Sequence, residues 1–156
     1  MKASDLMSRN PTICNPDATI AEAARLMDEH DCGCLPVAEQ QSAPRVVGVI
    51  TDRDIATRAV AQGRGPDTPV REVMSRDPSC CREDDTVKTV EQIMGERQVR
   101  RVPVVDQEGC CVGVVAQADL ARSVPARELA KTVEKISDPS ASPRRNTHVG
   151  VHPAQF

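Results

Sequence analysis

Gly48-Val49-Ile50-Thr51-Asp52-Arg53-Asp54 and Gly113-Val114-Val115-Ala116-Gln117-Ala118-Asp119 are two copies of one string, 65 positions apart. Upstream the offset is 67. Met7-Ser8-Arg9-Asn10-Pro11 falls on Met74-Ser75-Arg76-Asp77-Pro78, and Leu35-Pro36-Val37 falls on Val102-Pro103-Val104. Each copy is about 50–60 residues long, which is marginal for a domain standing alone. Two copies packed face to face are expected to bury a shared core. Their pseudo-twofold relation creates matched clefts, and a cleft that occurs twice in one module is a candidate ligand site.

Working outward from the repeat, both copies read as strand, helix, strand, strand, helix. In the first copy, residues 2–62, Thr12-Ile13-Cys14 reads as a short strand. Thr19 with Glu22 three residues on is a capping box. Ile20, Ala23, Ala24 and Met27 then follow at helical spacing, and the helix is expected to stop near His30, before Gly33. Leu35 to Ala38 and Val46 to Ile50 read as a strand pair, and a second helix starts near Asp52. Gly63 to Pro69 is dense in turn residues and reads as a linker. The second copy, 70–123, repeats the order with a strand at Ser79 to Cys81. Its helix is expected from Thr86 to Arg97, and strands at Arg101–Val105 and Cys111–Val115. Pro125 can open a further helix over 124–136. Residues 137–156 read by composition as a disordered tail. The fold class is therefore α/β, built of tandem β-α-β-β-α repeats.

Bulk properties narrow the function. The 156-residue chain carries a formal net charge of −3, so nothing draws it to nucleic acid or an anionic membrane. It has no Trp or Tyr, and its one Phe, Phe156, is the last residue, so it lacks aromatic platforms for stacking bases. No apolar run approaches a membrane span, and Met1 to Asp5 lacks a signal-peptide core. A cytoplasmic location is expected, where the seven cysteines would be mostly thiols. No Ser-His-Asp pattern, Walker-type phosphate loop or zinc-hydrolase motif is present, and the length leaves no room for an appended enzyme domain. The chain is expected not to be an enzyme and to need no obligatory cofactor.

The double pattern resembles a CBS-domain pair, or Bateman module, over residues 2–123. The resemblance rests on the paired Met-Ser-Arg-x-Pro strings, on Leu35-Pro36-Val37 with Val102-Pro103-Val104, and on Gly48-x-x-Thr51-x-x-Asp54 with Gly113 through Asp119. Gln98 to Asp106 is similar to the small stand-alone bacterial members. The resemblance implies clefts between the repeats that bind AMP, ADP, ATP or S-adenosylmethionine. It implies Thr51 and Asp54 as phosphate and ribose contacts of one site, and Asp119 as the ribose contact of the other. It also implies a regulatory role, a homodimer and a protein partner that receives the signal.

The residues support that assignment independently. A helix that begins near Thr51 offers unpaired N–H groups and a positive dipole end to phosphate. The Thr51 hydroxyl adds a donor, Arg53 adds positive charge, and the Asp54 carboxylate can accept from a ribose diol. Ile13, Cys14, Cys80 and Cys81, on the short strands, could present backbone groups and apolar side chains to an adenine. Arg100-Arg101 could face a cleft and meet phosphate. Ala116 stands where the first copy has Thr51, and Gln117-Ala118 replaces Asp52-Arg53, so the Asp54 cleft is expected to bind more tightly. Thr51, Asp52 and Asp54 are also ordinary helix-capping residues, and that reading stands beside the functional one.

Two alternatives remain open. His30, Cys32 and Cys34 would share one face of an extended segment and could seed a zinc site or a redox-responsive one. The other is a structural adaptor whose clefts are vestigial. Cys80-Cys81 and Cys110-Cys111 are adjacent pairs whose side chains diverge in strands, and His148 and His152 sit in the tail. Ile20/Met27 and Val87/Met94 are apolar faces that belong either to the core or to a dimer contact.

Overall fold

The computed structural model describes residues 1–39 and 43–140. A single turn of helix, α1 (Ala3–Leu6), leads into β1 (Ser8–Arg9). Then come α2 (Ile20–Glu29), β2 (Cys34–Ala38) and β3 (Val46–Thr51). The helix after β3 starts as α3 (Asp52–Asp54), widens into a π-helical turn over Ile55–Ala59, and tightens to a 3-10 turn over Val60–Gln62. The second copy opens with a 3-10 turn, Val70–Glu72, and β4 (Ser75–Arg76). It continues through β5 (Cys81–Arg82), α4 (Val87–Arg97), β6 (Arg101–Val105), β7 (Cys111–Ala116) and α5 (Gln117–Ser123), and α6 (Ala126–Ser137) follows. The mixed α/β repeat architecture is as the sequence implies, with shorter strands. Of the strand expected at 12–14, only a bridge between Cys14 and Val37 forms. Its counterpart at 79–81 moves to β5, where Cys81 pairs with Val104. The tail beyond Ser140 lies outside the described residues.

The helix starts are set locally. The Thr19 hydroxyl accepts the Glu22 amide at 3.2 Å, and the Glu22 carboxylate accepts the Thr19 amide at 2.8 Å. α2 ends at Glu29 because Asp31 takes a left-handed conformation at φ 48°. Ile20, Ala23 and Met27 face inward, whereas Ala24 is exposed.

Two sheets form, ordered β2-β3-β4 and β1-β7-β6-β5. Each therefore contains a strand from the other copy. β1 pairs antiparallel with β7, Ser8 opposite Val114, while β4 pairs antiparallel with β3, Val49 opposite Ser75. The segments before those strands cross over as well. The Ala3 amide donates to the Asp85 carbonyl at 2.8 Å, and at the equivalent place Val70 donates to Ala18 at 2.8 Å.

Side-chain burial follows the same exchange. Instead of the one shared core expected from the repeat, there are two. The first holds Cys14, Ile20, Met27, Leu35, Val37 and Ile50, completed by Val70, Val73 and Met74 from the second copy. The other holds Val87, Val90, Met94, Val102, Val104 and Leu120, completed by Ala3 and Met7 from the first. Ile20, Met27, Val87 and Met94 are thus core residues and are not free to form a dimer contact. α6 covers the outer side of α4, where Gly95 leaves room for Lys135. The residue equivalent to Gly95 on α2 is Asp28, whose side chain occupies the place that Gly95 leaves open, and among the described residues no helix packs there as α6 does.

The pseudo-twofold axis runs between equivalent positions. Arg45 and Cys110, 65 apart, form an antiparallel bridge across it. Cys34 and Arg101, 67 apart, lie near enough that the guanidinium acts on the Cys34 thiol.

Candidate functional site

In both halves the last long strand feeds a helix whose first turn is closed by a carboxylate. Asp54 Oδ2 accepts the Thr51 amide at 3.0 Å, and Thr51 Oγ1 accepts the Asp54 amide at 3.0 Å. In the second half Asp119 Oδ2 accepts the Ala116 amide at 2.8 Å, and no hydroxyl answers it. The capping reading is thus correct for Thr51 and Asp54, and Asp119 closes its own turn in the same way. Capping does not exhaust the two acids, because a carboxylate accepts about four hydrogen bonds. The Asp54 and Asp119 side chains are only 14% and 16% exposed, and each turns Oδ1 toward an arginine at 3.6 Å. The Thr51 hydroxyl, spent as an acceptor, still has its proton to donate. Arg53 is exposed on the same turn.

The strand leading to each acid alternates. In β7, Cys111, Gly113 and Val115 are buried, while Val112, Val114 and Ala116 are half-buried on the opposite face. That second face runs from Val112 to the Asp119 cap, about 13 Å at strand rise, the order of one nucleotide. At the Cys111–Val112 end of the strand opens a cavity of about 570 Å³, lined by Arg9, Asn10, Pro11, Ile13 and Glu83 together with Cys111 and Val112. The crossing of the first copy's leading segment onto β7 builds it. A smaller notch of about 380 Å³ lies between Met27, Asp28, Asp31, Cys32, Gly33 and Asp52.

The sequence-predicted contacts divide accordingly. Ile13 lines the larger cavity, and Cys80 is half-buried. Cys14 and Cys81 are corrected: they are 0% and 1% exposed in the two cores. Neighbouring residues of an extended segment point opposite ways, so Ile13 and Cys14 cannot both face a cleft. The Cys14 amide and carbonyl are also used, by Pro36 and Ala38. Neither Asp54 nor Asp119 lines the cavity itself. Arg101 lies opposite Ala116 in the β6–β7 ladder, whereas Cys34 holds the matching place opposite Thr51. Sequence reasoning missed Arg9 and Pro11 as lining residues, although both belong to the repeated Met-Ser-Arg-x-Pro string. It also missed Arg58, beside Asp54.

The zinc arrangement does not form. His30 and Asp31 turn, with Asp31 at φ 48°, so residues 30–34 are not the extended run that would align His30, Cys32 and Cys34. Among the described residues the one convergent group of potential ligands is Asp106, Glu108 and Cys110. A turn explains it, since Asp106 Oδ1 accepts the Glu108 and Cys110 amides, each at 2.9 Å. Nor does burial favour the thiolate at most of the cysteines. Burial pushes Cys14, Cys80 and Cys111 up to about 11 and Cys81 up to about 12. Burial also raises Cys34 to about 12, against the opposing pull of Arg101. Reactive cysteines have depressed values.

The family model described as "CBS domain" matches residues 3–61 and again 70–126. The chain is a CBS-domain pair. Its two matched segments are the two copies, and they cover most of its length. The CBS pair is 42% identical over 126 residues to CBS domain-containing protein YhcV of Bacillus subtilis, covering 81% of this chain and 87% of that one. It is 34% identical over 140 residues to hypoxic response protein 1 of Mycobacterium tuberculosis, covering 89% and 96%. A crystal structure of hypoxic response protein I with two coordinated zinc ions superposes with a TM-score of 0.72 at 34% identity, over 80% of this chain and 100% of that one. The CBS domain protein PAE2072 of Pyrobaculum aerophilum, complexed with AMP, superposes with a TM-score of 0.73 at 29% identity, over 85% and 98%. Among the described residues of this CBS pair, no helix is long and apolar enough to cross a membrane.

Proposed function

We propose that this CBS pair is a non-catalytic, cytoplasmic sensor that binds an adenosine nucleotide between its repeats and passes the signal to a protein partner. The carrying observation is the half-buried Asp119 at one end of a strand face whose other end opens into the 570 Å³ cavity. A base seated against Ile13, Pro11 and Val112 would direct its sugar and phosphate along this face toward Asp119. The α5 N-terminus and the Arg100-Arg101 pair are then available to phosphate. The AMP complex of PAE2072 supports the same ligand class.

The first cleft repeats the grip with Asp54, Thr51 and Arg53. The sequence favoured this cleft, but two features weigh toward Asp119. The cavity opens on the Asp119 strand. The arginine facing Asp119, Arg122, is 78% exposed and easily displaced, whereas Arg58 beside Asp54 is 27% exposed. A ligand shifts the arrangement of the halves only by its differential affinity for the two arrangements. Two such molecules pairing as a homodimer is part of this reading, and a monomer in sedimentation at micromolar concentration removes that part alone.

Calorimetry with AMP, ATP and S-adenosylmethionine tests the site. Asp119→Asn keeps the capping acceptor but loses the charge, and a lost charged-group bond of about 1.5–3 kcal/mol weakens binding about tenfold or more. Asp54→Asn is expected to have the smaller effect. Unchanged affinity in both variants, or no heat from any of the three ligands, overturns the reading.

A further inference from the structure

Arg58 sits in the π-helical turn Ile55–Ala59 and reaches in two directions. Its Nε faces Asp54 Oδ1 at 3.6 Å. Its Nη1 donates to the carbonyls of Val73 and Met74, both at 3.2 Å, and approaches Ser75 Oγ at 3.5 Å. Val73 to Ser75 is where the second copy's leading segment enters β4 and crosses onto β3. One guanidinium therefore joins the acid of the first cleft to one of the two strands that cross between the copies. A widened turn recurs at functional positions in helices. Here the turn carries the side chain that bridges Asp54 and β4.

The second half lacks this link. The residue 65 positions beyond Arg58 is Ser123, too short to span the gap. Arg122 faces Asp119, but it is 78% exposed and makes no hydrogen bond to the crossing segment at Met7 and Ser8 among the bonds of the described residues. The twin acids are alike in their caps and unlike in what lies behind them.

We propose that Arg58 is a positioning residue that transmits the charge state and occupancy of Asp54 to the β4 crossing, making the first cleft the one that is read out mechanically. The occupancy half of this statement rests on the nucleotide reading above; the link from Asp54 through Arg58 to β4 does not. A ligand diol that takes Asp54 Oδ1 competes with Arg58 Nε. The guanidinium then leans on the Val73 and Met74 carbonyls alone, and the strand they lead into shifts its stability.

Amide hydrogen exchange on the full chain tests both halves. Without ligand, Asp54→Asn is expected to speed exchange at Ser75 and Arg76 about twofold or more, the factor of a modest i,i+4 ion pair. Arg58→Gln should do the same, and the double variant should add nothing. Asp119→Asn should leave Ser8 and Arg9 unchanged. Wild-type exchange at β4 in Asp54→Asn, or additive effects in the double variant, overturns the link. With saturating AMP, β4 exchange is expected to change in the wild type and in Arg58→Lys but not in Arg58→Gln. A β4 response that survives Arg58→Gln also overturns the proposal. If AMP fails to bind, the nucleotide reading falls, and the ligand-free arm still decides the role of Arg58.

Discussion

Single side chains carry a pH dependence that the fold as a whole does not advertise. The ordinary cysteine value is 9.0, and burial raises Cys34 and Cys81 to about 12 and Cys14, Cys80 and Cys111 to about 11. The folded chain thus keeps protons that the unfolded chain releases above pH 9. The associated stability is fully present below the unfolded value and is lost as pH rises toward 11 to 12. Urea unfolding should show a lower midpoint at pH 10 than at pH 8, and Cys34→Ala with Cys81→Ala should shrink the gap. Equal wild-type midpoints would contradict the burial of these thiols. Legibility is also a matter of residues. The place of Asp54 and Asp119 in the first turn of a helix could be read from the string because their spacing from the strand end is fixed. Cys14 and Cys81 were misplaced because sequence gives the alternation of a two- or three-residue strand but not its phase. The phase is set by Val37 and Val104, partners that lie 23 positions along in each copy.

Between elements, both halves of the repeat signature prove to be one contact. A Cβ at Gly48 would stand 2.6 Å from the Met74 sulfur and 2.8 Å from the Ser75 carbonyl oxygen. At Gly113 it would stand 2.5 Å from the Met7 sulfur and 2.9 Å from the Ser8 carbonyl oxygen. The glycine of one copy is needed so that the Met-Ser of the other can cross it. Gly113→Ala is expected to cost about 1–3 kcal/mol by overpacking, read as a lowered Tm. Met7→Ala should recover only part of this, because the backbone oxygen at Ser8 remains. A full recovery would mean that the sulfur alone sets the constraint. Helices were legible from capping boxes and spacing, as Thr19 and Glu22 show. β1 and β4 were not, since two-residue strands have no periodicity to detect. The dock for α6 was equally hidden, because it depends on Gly95 standing where α2 has Asp28.

For the molecule as a whole, the decisive fact is that neither copy is complete by itself. Removing residues 1–9 takes away Ala3, Met7 and the edge strand β1, all of which serve the second half. Hydrogen exchange should then accelerate across β7 and β6 while β2 and β3 keep their protection. Uniform loss across both sheets would mean that the halves unfold as one. The duplication was plain in the sequence, yet the exchange was not, because it pairs two-residue strands with the other copy, β1 with β7 across more than a hundred residues and β4 with β3 across the linker. The on-axis pairs add a historical consequence. If a single repeat ever assembled as two separate identical chains, each on-axis position would have met its own copy, arginine against arginine or thiol against thiol. Joining the two into one polypeptide lifted that restriction. Each side of the seam could then diverge, so that Arg45 faces Cys110 where a self-paired seam would set like against like.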